Sequence, residues 1–214
     1  MVGFMTQSRL LVCGFGSFPA APRNPSGAVV EALSREAWAP PGFEVEYLTL
    51  PVAWSGSVEA IQGVLAARSA DAVLVVGVAT ESDAFRVETM GRNHAGRAKP
   101  DDAGEVWEGS VIKPDGPGAL SSTAPTDDIL DALIGSHLAA RLSDDAGDYL
   151  CNFTLYRLLA EQAAPSVAFL HVPQVREFSE SANGSLQDID QAVRATVRAM
   201  AQSLSRPVAE RRTA

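Results

Sequence analysis

Cys151 and His171 are the two side chains whose types and settings most suggest chemistry. Cys151 lies in the run Ser143 to Tyr156 (SDDAGDYLCNFTLY), where Ser143, Asp144 and Asp145 offer capping oxygens, Gly147 allows a sharp turn and a helix follows. A thiol near a helix N-terminus sits beside unpaired N–H groups and the positive end of the macrodipole. Both favour the thiolate over a free thiol of pKa about 8.5. His171 ends the apolar run Ser166 to Val172 (SVAFLHV), and Pro173 stops it. In open α/β sheets, sites gather at the carboxyl ends of strands. A polar ring buried there needs a partner, and a thiolate–imidazolium pair satisfies both groups while making a nucleophile. Each residue has a quieter reading: an inert buried thiol, or a histidine bonded to backbone. The residues alone leave these open. Cys13, inside a strand run, fits the buried-thiol reading well. His94, in a polar loop, and His137, in a helical stretch facing solvent, are weaker candidates.

A Cys–His pair commonly has a third group that holds the ring in one tautomer. Glu88 is the candidate, in Phe85-Arg86-Val87-Glu88-Thr89-Met90, with apolar neighbours at alternate positions. A carboxylate in such a strand either faces solvent or joins a buried ion pair, and composition favours the exposed reading. The loop Gly14-Phe15-Gly16-Ser17-Phe18 follows a strand and resembles half of a dinucleotide fingerprint. It lacks the third glycine and the immediate helix, since Pro19 and Pro22 follow. Its better use is to project Phe15 and Phe18 at a strand end as walls for a small flat ligand.

The elements that must position these residues follow from periodicity. Apolar or alternating runs predict strands at 9–15, 44–50, 72–78, 83–92 and 166–172. Helical spacing predicts helices at 25–35, 57–68, 127–138, 148–162 and 186–204, the first opened by Asn24 as N-cap and Pro25 in the first turn. The stretch 93–126, rich in Gly, Pro, Asp and Ala, reads as a functional loop or a small hairpin excursion. Strands and helices alternate, which argues for an α/β sandwich with a largely parallel sheet between helical layers. The 214 residues read as one domain, with frayed ends at about 1–8 and 207–214.

Bulk composition narrows the function classes. With 46% hydrophobic and 20% charged residues the chain is an ordinary globular one. A net charge of −9 without a basic stripe argues against nucleic acid and anionic membranes as partners. Two cysteines with no CxxC pair argue against structural zinc and a disulfide framework. No apolar run reaches spanning length and no secretory signal is read at the N-terminus, so the expected location is cytoplasmic. Met5 is an alternative start.

Three segments then resemble the pyroglutamyl peptidase I family, the pyrrolidone-carboxylate peptidases. Gly14-Phe15-Gly16-Ser17-Phe18 with Asn24-Pro25-Ser26 resembles the family's G-F-G-x-F loop and its N-P-S. Asp145-Ala146-Gly147-Asp148-Tyr149-Leu150-Cys151-Asn152 is similar to its D-A-G-x-Y-x-C-N nucleophile segment. His171-Val172-Pro173 is similar to its H-[IV]-P segment. Two segments depart. Where the family has E-R-V-A-x-N, Glu88-Thr89-Met90-Gly91-Arg92-Asn93 keeps only the Glu and the Asn. Where many members have G-Q-A-G-G-R, this chain reads Gly77-Val78-Ala79-Thr80-Glu81-Ser82.

The resemblance implies a three-layer α/β/α sandwich with a mostly parallel mixed sheet, of the phosphorylase/hydrolase-like kind. It implies a cysteine-type omega peptidase with Cys151, His171 and Glu88 as triad, without metal or cofactor. Phe15 and Phe18 would sandwich the pyroglutamyl ring, with Val78 in the segment that contacts the lactam. Substrates would be small peptides beginning with pyroglutamate, and the assembly a homodimer or homotetramer. A thiolate–imidazolium pair would be active near neutrality and lose activity when the imidazolium deprotonates. The altered 78–82 segment also keeps open a thiol amidase acting on another small cyclic or acylated amide, and a low-activity binding descendant. A nucleoside phosphorylase-like enzyme would share the fold class but leave Cys151 without a role.

Overall fold

The apolar run at the start of the chain becomes β1 (Ser8–Phe15), a strand buried on both faces. In the computed structural model, residues 7–18, 21–96 and 99–207 are described. The frayed tail expected beyond Pro207 and most of the frayed N-terminus lie outside them. Parallel partners flank β1: β2 (Phe43–Leu50) on one side and β3 (Ala72–Val78) on the other. Beyond β3 come β8 (Ser166–Val172), β4 (Phe85–Glu88) and β7 (Ala140–Ser143), giving the order β2-β1-β3-β8-β4-β7. Within this sheet, among the described residues, only the β4–β8 pair is antiparallel. The sheet is therefore mixed and mostly parallel, as expected.

Helices cover both faces. α1 (Pro25–Glu36), α3 (Thr126–Gly135) and α5 (Leu186–Ser205) pack on one, through Val30, Leu33, Ile129, Leu133, Val193 and Met200. α2 (Ser57–Ala67) and α4 (Leu150–Ala160) pack on the other, through Val58, Ile61, Phe153 and Leu158. This is a three-layer α/β/α sandwich. Asn24 caps α1 through its side chain, accepting from the Ser26 N–H at 3.1 Å with Pro25 following, and Ser185 and Asp188 form a capping box on α5.

Three elements differ from expectation. The strand expected at 83–92 is two, β4 and β5 (Met90–Arg92), broken at Thr89. Thr89 bonds to Ser143 in the main sheet and to Ser122 beyond it, so the chain leaves the main sheet there. The excursion contains β6 (Ala119–Ser121), which pairs antiparallel with β5 in a separate two-stranded sheet. The helix expected at 127–138 ends at Gly135. The chain then turns at His137, whose φ is 61°, and enters β7. β7 is a short edge strand with exposed Arg141 and Leu142, so it carries little apolar alternation to betray it. His137 does face solvent, but from this turn and not from a helix.

Candidate active site

Strand alternation decides which side chains meet. In β8, Leu170 and Val172 point to the α1/α5 layer, while Phe169 and His171 point to the α4 layer. In β4, Phe85 and Val87 likewise face α1/α5, leaving Arg86 and Glu88 on the side of His171. The antiparallel register sets Arg86 opposite His171. Glu88, two residues on, reaches the ring diagonally, and its Oε1 lies 2.7 Å from His171 Nδ1. The exposed reading of Glu88 fails, because its side chain is 0% exposed.

The tautomer of His171 follows from its neighbours. The Glu88 carboxylate only accepts, so Nδ1 carries the proton and donates to it. Arg86 Nη2 also stands 3.2 Å from Nδ1, but both groups are then donors, and the approach is a contact and not a bond. Arg86 Nε is 3.2 Å from the same Glu88 Oε1. One carboxylate oxygen thus serves a ring and a guanidinium. Nε2 of His171 is left with its lone pair free on the far edge of the ring.

Cys151 comes to this face from α4. Gly147, at φ 86°, reverses the chain ahead of the helix, and Asp145 Oδ1 accepts from its N–H at 2.9 Å. The acidic residues do not cap the helix as expected. Its N-cap is Tyr149, which makes no side-chain capping bond, while Asp144 pairs with Arg92 and Asp148 with Lys99. Cys151 therefore occupies the second helical position, with its own N–H among the donors that the helix leaves unpaired. Its sulfur rests against β3 at Gly77, the residue in direct register with His171 on the neighbouring strand. A Cβ at position 77 would stand 2.9 Å from Cys151 Sγ and 2.9 Å from Phe169 Cζ. Any larger residue there would push the sulfur away.

These groups open onto a cavity of about 700 Å³ whose lining includes Phe18, Val78, Arg86, Tyr149, Cys151 and His171. A second cleft, of about 330 Å³, lies beside Pro165 and Ser166 at the opposite end of β8 and holds neither Cys151 nor His171. Phe18 is held at the first cavity by a two-way backbone bridge to Ala21. Phe15, expected as the second aromatic wall, is packed in the core with 4% of its surface exposed and does not line the cavity. Tyr149 supplies an aromatic surface instead; its hydroxyl donates to the Pro100 carbonyl at 2.9 Å, and its ring meets Trp54 edge-on.

Burial acts on the pair against the ionised form. The Cys151 thiol is pushed up to about 12, first by desolvation and then by Glu88, with Arg86 and the residue's own N–H pulling the other way. Burial likewise lowers His171 below its ordinary 6.5, opposed by Glu88 and assisted by Arg86. Both shifts work against the resting thiolate–imidazolium pair expected from the helix terminus. Desolvation here opposes the pull of the helix terminus on the thiol. Cys13 is raised still further by full burial, as an inert core thiol should be.

Comparison with known proteins places this arrangement in a lineage. The family model for pyroglutamyl peptidase matches residues 8–203. The chain belongs to the pyroglutamyl peptidase family. A pyrrolidone-carboxylate peptidase of Deinococcus radiodurans is 32% identical over 169 residues, covering 77% of each chain. One from Streptomyces coelicolor is 31% identical over 174 residues, covering 79% of this chain and 80% of that one. A mutant pyrrolidone carboxyl peptidase from Pyrococcus furiosus superposes with TM-score 0.86 at 25% identity, over 92% of this chain and 99% of that one. The pyroglutamyl peptidase I of Bacillus amyloliquefaciens, at 23% identity, shares the fold with TM-score 0.84 over 91% of this chain and 95% of that one. Membership makes this protein an enzyme of the cysteine-type omega peptidases.

Within this family member, two asparagines that the sequence analysis gave no role hold the site's frame. Asn152, fully buried beside the thiol, accepts from Arg92 N and donates to the Arg92 and His94 carbonyls, each at 2.8 Å. It ties α4 to the end of β5. Asn93 accepts from Ile112 N and Lys113 N and donates to the carbonyls of Lys113 and Gly116. It folds the excursion back on itself. Asp101 adds three backbone donors: Trp54 N, Ala103 N and Glu105 N. The signal available in the sequence was the Asn next to Cys151; nothing marked Arg86 or Asp101. Among the described residues no group of three His, Cys, Asp or Glu side chains could hold a metal ion, and no helix is long and apolar enough to cross a membrane.

Proposed function

We propose that this enzyme removes an N-terminal pyroglutamyl residue from peptides, with Cys151 as nucleophile, His171 as proton carrier and Glu88 as the group that orients the ring. The observation that carries the proposal is the buried 2.7 Å contact of Glu88 with His171, next to a thiol seated against Gly77 at the ends of β3 and β8. As the sulfur attacks the carbonyl that joins pyroglutamate to the next residue, the thiol proton passes to His171 Nε2. Glu88 stabilises the imidazolium so formed. Charge on the carbonyl oxygen is met by N–H groups of the first turn of α4, that of Cys151 among them. Nε2 returns the proton to the leaving amine, and water then cleaves the thioester and restores the thiol.

Pyroglutamate has no free α-amine, so its pocket needs no carboxylate, and the Phe18 and Val78 side of the cavity suits a small lactam. His171 works here as a base that ionises the thiol only during attack, in keeping with the shifts that oppose a resting ion pair. The test is hydrolysis of a pyroglutamyl-coumarin amide by wild type and Cys151→Ser. Turnover by wild type that is lost in the variant and blocked by iodoacetamide supports the assignment. A wild type inert toward that amide, with Cys151 alkylated faster than Cys13, points instead to a thiol amidase with another acyl group.

A further inference from the structure

Arg86 and Arg141 are direct cross-strand partners in β4 and β7, and both line the cavity. Like charges placed directly opposite one another repel, so the pairing costs stability unless an anion joins them. Of the other charged groups at the cavity, Lys99 pairs with Asp148 at 2.7 Å, and Asp101 accepts three backbone N–H bonds. Arg86 shares one oxygen of Glu88 with His171 and keeps 22% of its side chain exposed. Among the described residues, no carboxylate stands within salt-bridge distance of exposed Arg141.

The sheet order sets the direction in which a substrate runs. Val78 ends β3 on one flank of His171, whereas β4 and then β7 lie on the other flank. A lactam over Val78 with its scissile bond at Cys151 sends the leaving portion across β4 toward β7. Two strand spacings, about 10 Å, separate β8 from β7. An arginine reaching back over that gap meets the first residue of the leaving portion. Glu81, a further acidic side chain at the cavity, sits on the connection from β3 to β4.

Building on the proposed pyroglutamyl specificity, we infer that Arg86 and Arg141 form a carboxylate subsite for the first residue of the leaving portion. The preferred substrates are pyroglutamyl dipeptides with a free C-terminus or peptides with an acidic residue after pyroglutamate. Arginine suits this role because its planar donors grip a carboxylate in two-point fashion.

The experiment measures kcat/KM for pyroglutamyl-alanine against pyroglutamyl-alaninamide, and for pyroglutamyl-glutamic acid α-amide against pyroglutamyl-glutaminamide, with the coumarin amide as reference. At least one acid should be favoured over its neutral counterpart by about tenfold, the scale of one charge-assisted hydrogen bond. Which pair shows the preference distinguishes the C-terminal carboxylate from the side chain. Arg141→Gln should erase the preference, Arg141→Glu should invert it, and added salt should weaken it in the wild type. Equal rates for acid and amide in both pairs, or a preference untouched by both Arg141 variants, would overturn the subsite while coumarin amide turnover leaves the pyroglutamyl assignment standing. Absence of turnover on every pyroglutamyl substrate overturns that assignment, and this inference with it.

Discussion

Replacing Gly77 with alanine adds one methyl group at the point where the sheet supports Cys151. The added Cβ would stand 2.9 Å from Cys151 Sγ, 2.9 Å from Phe169 Cζ and 3.1 Å from Phe169 Cε1. Non-bonded carbons settle at about 3.5–4.0 Å, so the methyl demands at least roughly 0.6 Å of movement. Phe169 is fully buried and packed against its neighbours, whereas Cys151 borders the cavity. The sulfur is therefore what gives way. Overpacking of this kind costs about 1–3 kcal/mol of stability, which in a chain of this length lowers the melting temperature by about 2–4 °C per kcal/mol. A displacement near 1 Å at the reacting atom costs up to about 100-fold in rate. Gly77→Ala should therefore lower kcat by about 10- to 100-fold on the coumarin amide while KM changes little, because the methyl meets the sulfur and not the ligand space at Phe18. The assay pairs steady-state kinetics with thermal unfolding, so that lost fold and lost alignment are read separately. A folded variant with kcat within twofold of wild type would refute the seating of Cys151 against β3 as a determinant of its reactivity.

Three further outcomes follow from the same geometry. Because His171 is held below 6.5 and the Cys151 thiol lies near 12, kcat/KM should rise with pH through an acid limb below 6.5 and show no loss as pH passes 8; a bell centred on neutrality would restore the ion-pair mechanism. The folded state binds a proton at His171 less readily than the unfolded chain does, so its contribution to stability is fully present above about 6.5 and fades as pH falls, which denaturant titrations at pH 5 and 7.5 will read. Glu88→Gln keeps an acceptor for Nδ1–H but removes the charge that stabilises the imidazolium; kcat should fall by about 10²–10⁴-fold, and a loss under threefold would remove Glu88 from the mechanism. Asn152→Ala removes three hydrogen bonds that hold the chain at Arg92 and His94; at about 0.5–1.5 kcal/mol for each bond it should lower stability clearly, and an unchanged melting temperature would contradict its tethering role.

Much of this protein is legible in its one-dimensional pattern. Continuous apolar runs marked β1, β3 and β8 because strands buried on both faces have no other composition open to them. Asn24 and Pro25 announced α1 through local capping chemistry that needs no distant partner. Cys151 and His171 stood out because each broke its local pattern, a thiol at a helix start and an imidazole at a strand end. What local pattern could not decide was partnership. Glu88 reads as an ordinary alternating strand residue until β4 runs antiparallel beside β8 and turns it toward Nδ1. The same pairing brought in Arg86, and burial works against the expected ionisation of the thiol, since desolvation depends on everything that closes around the sulfur. The excursion after Asn93 has no periodicity because side chains distant in sequence hold its backbone carbonyls, as Tyr149 does at Pro100 and Asn152 at His94. The sequence by itself marked the buried strands and the helices, and singled out two candidate residues by type and setting. Only the tertiary structure decided what those residues touch, and hence which proton moves where.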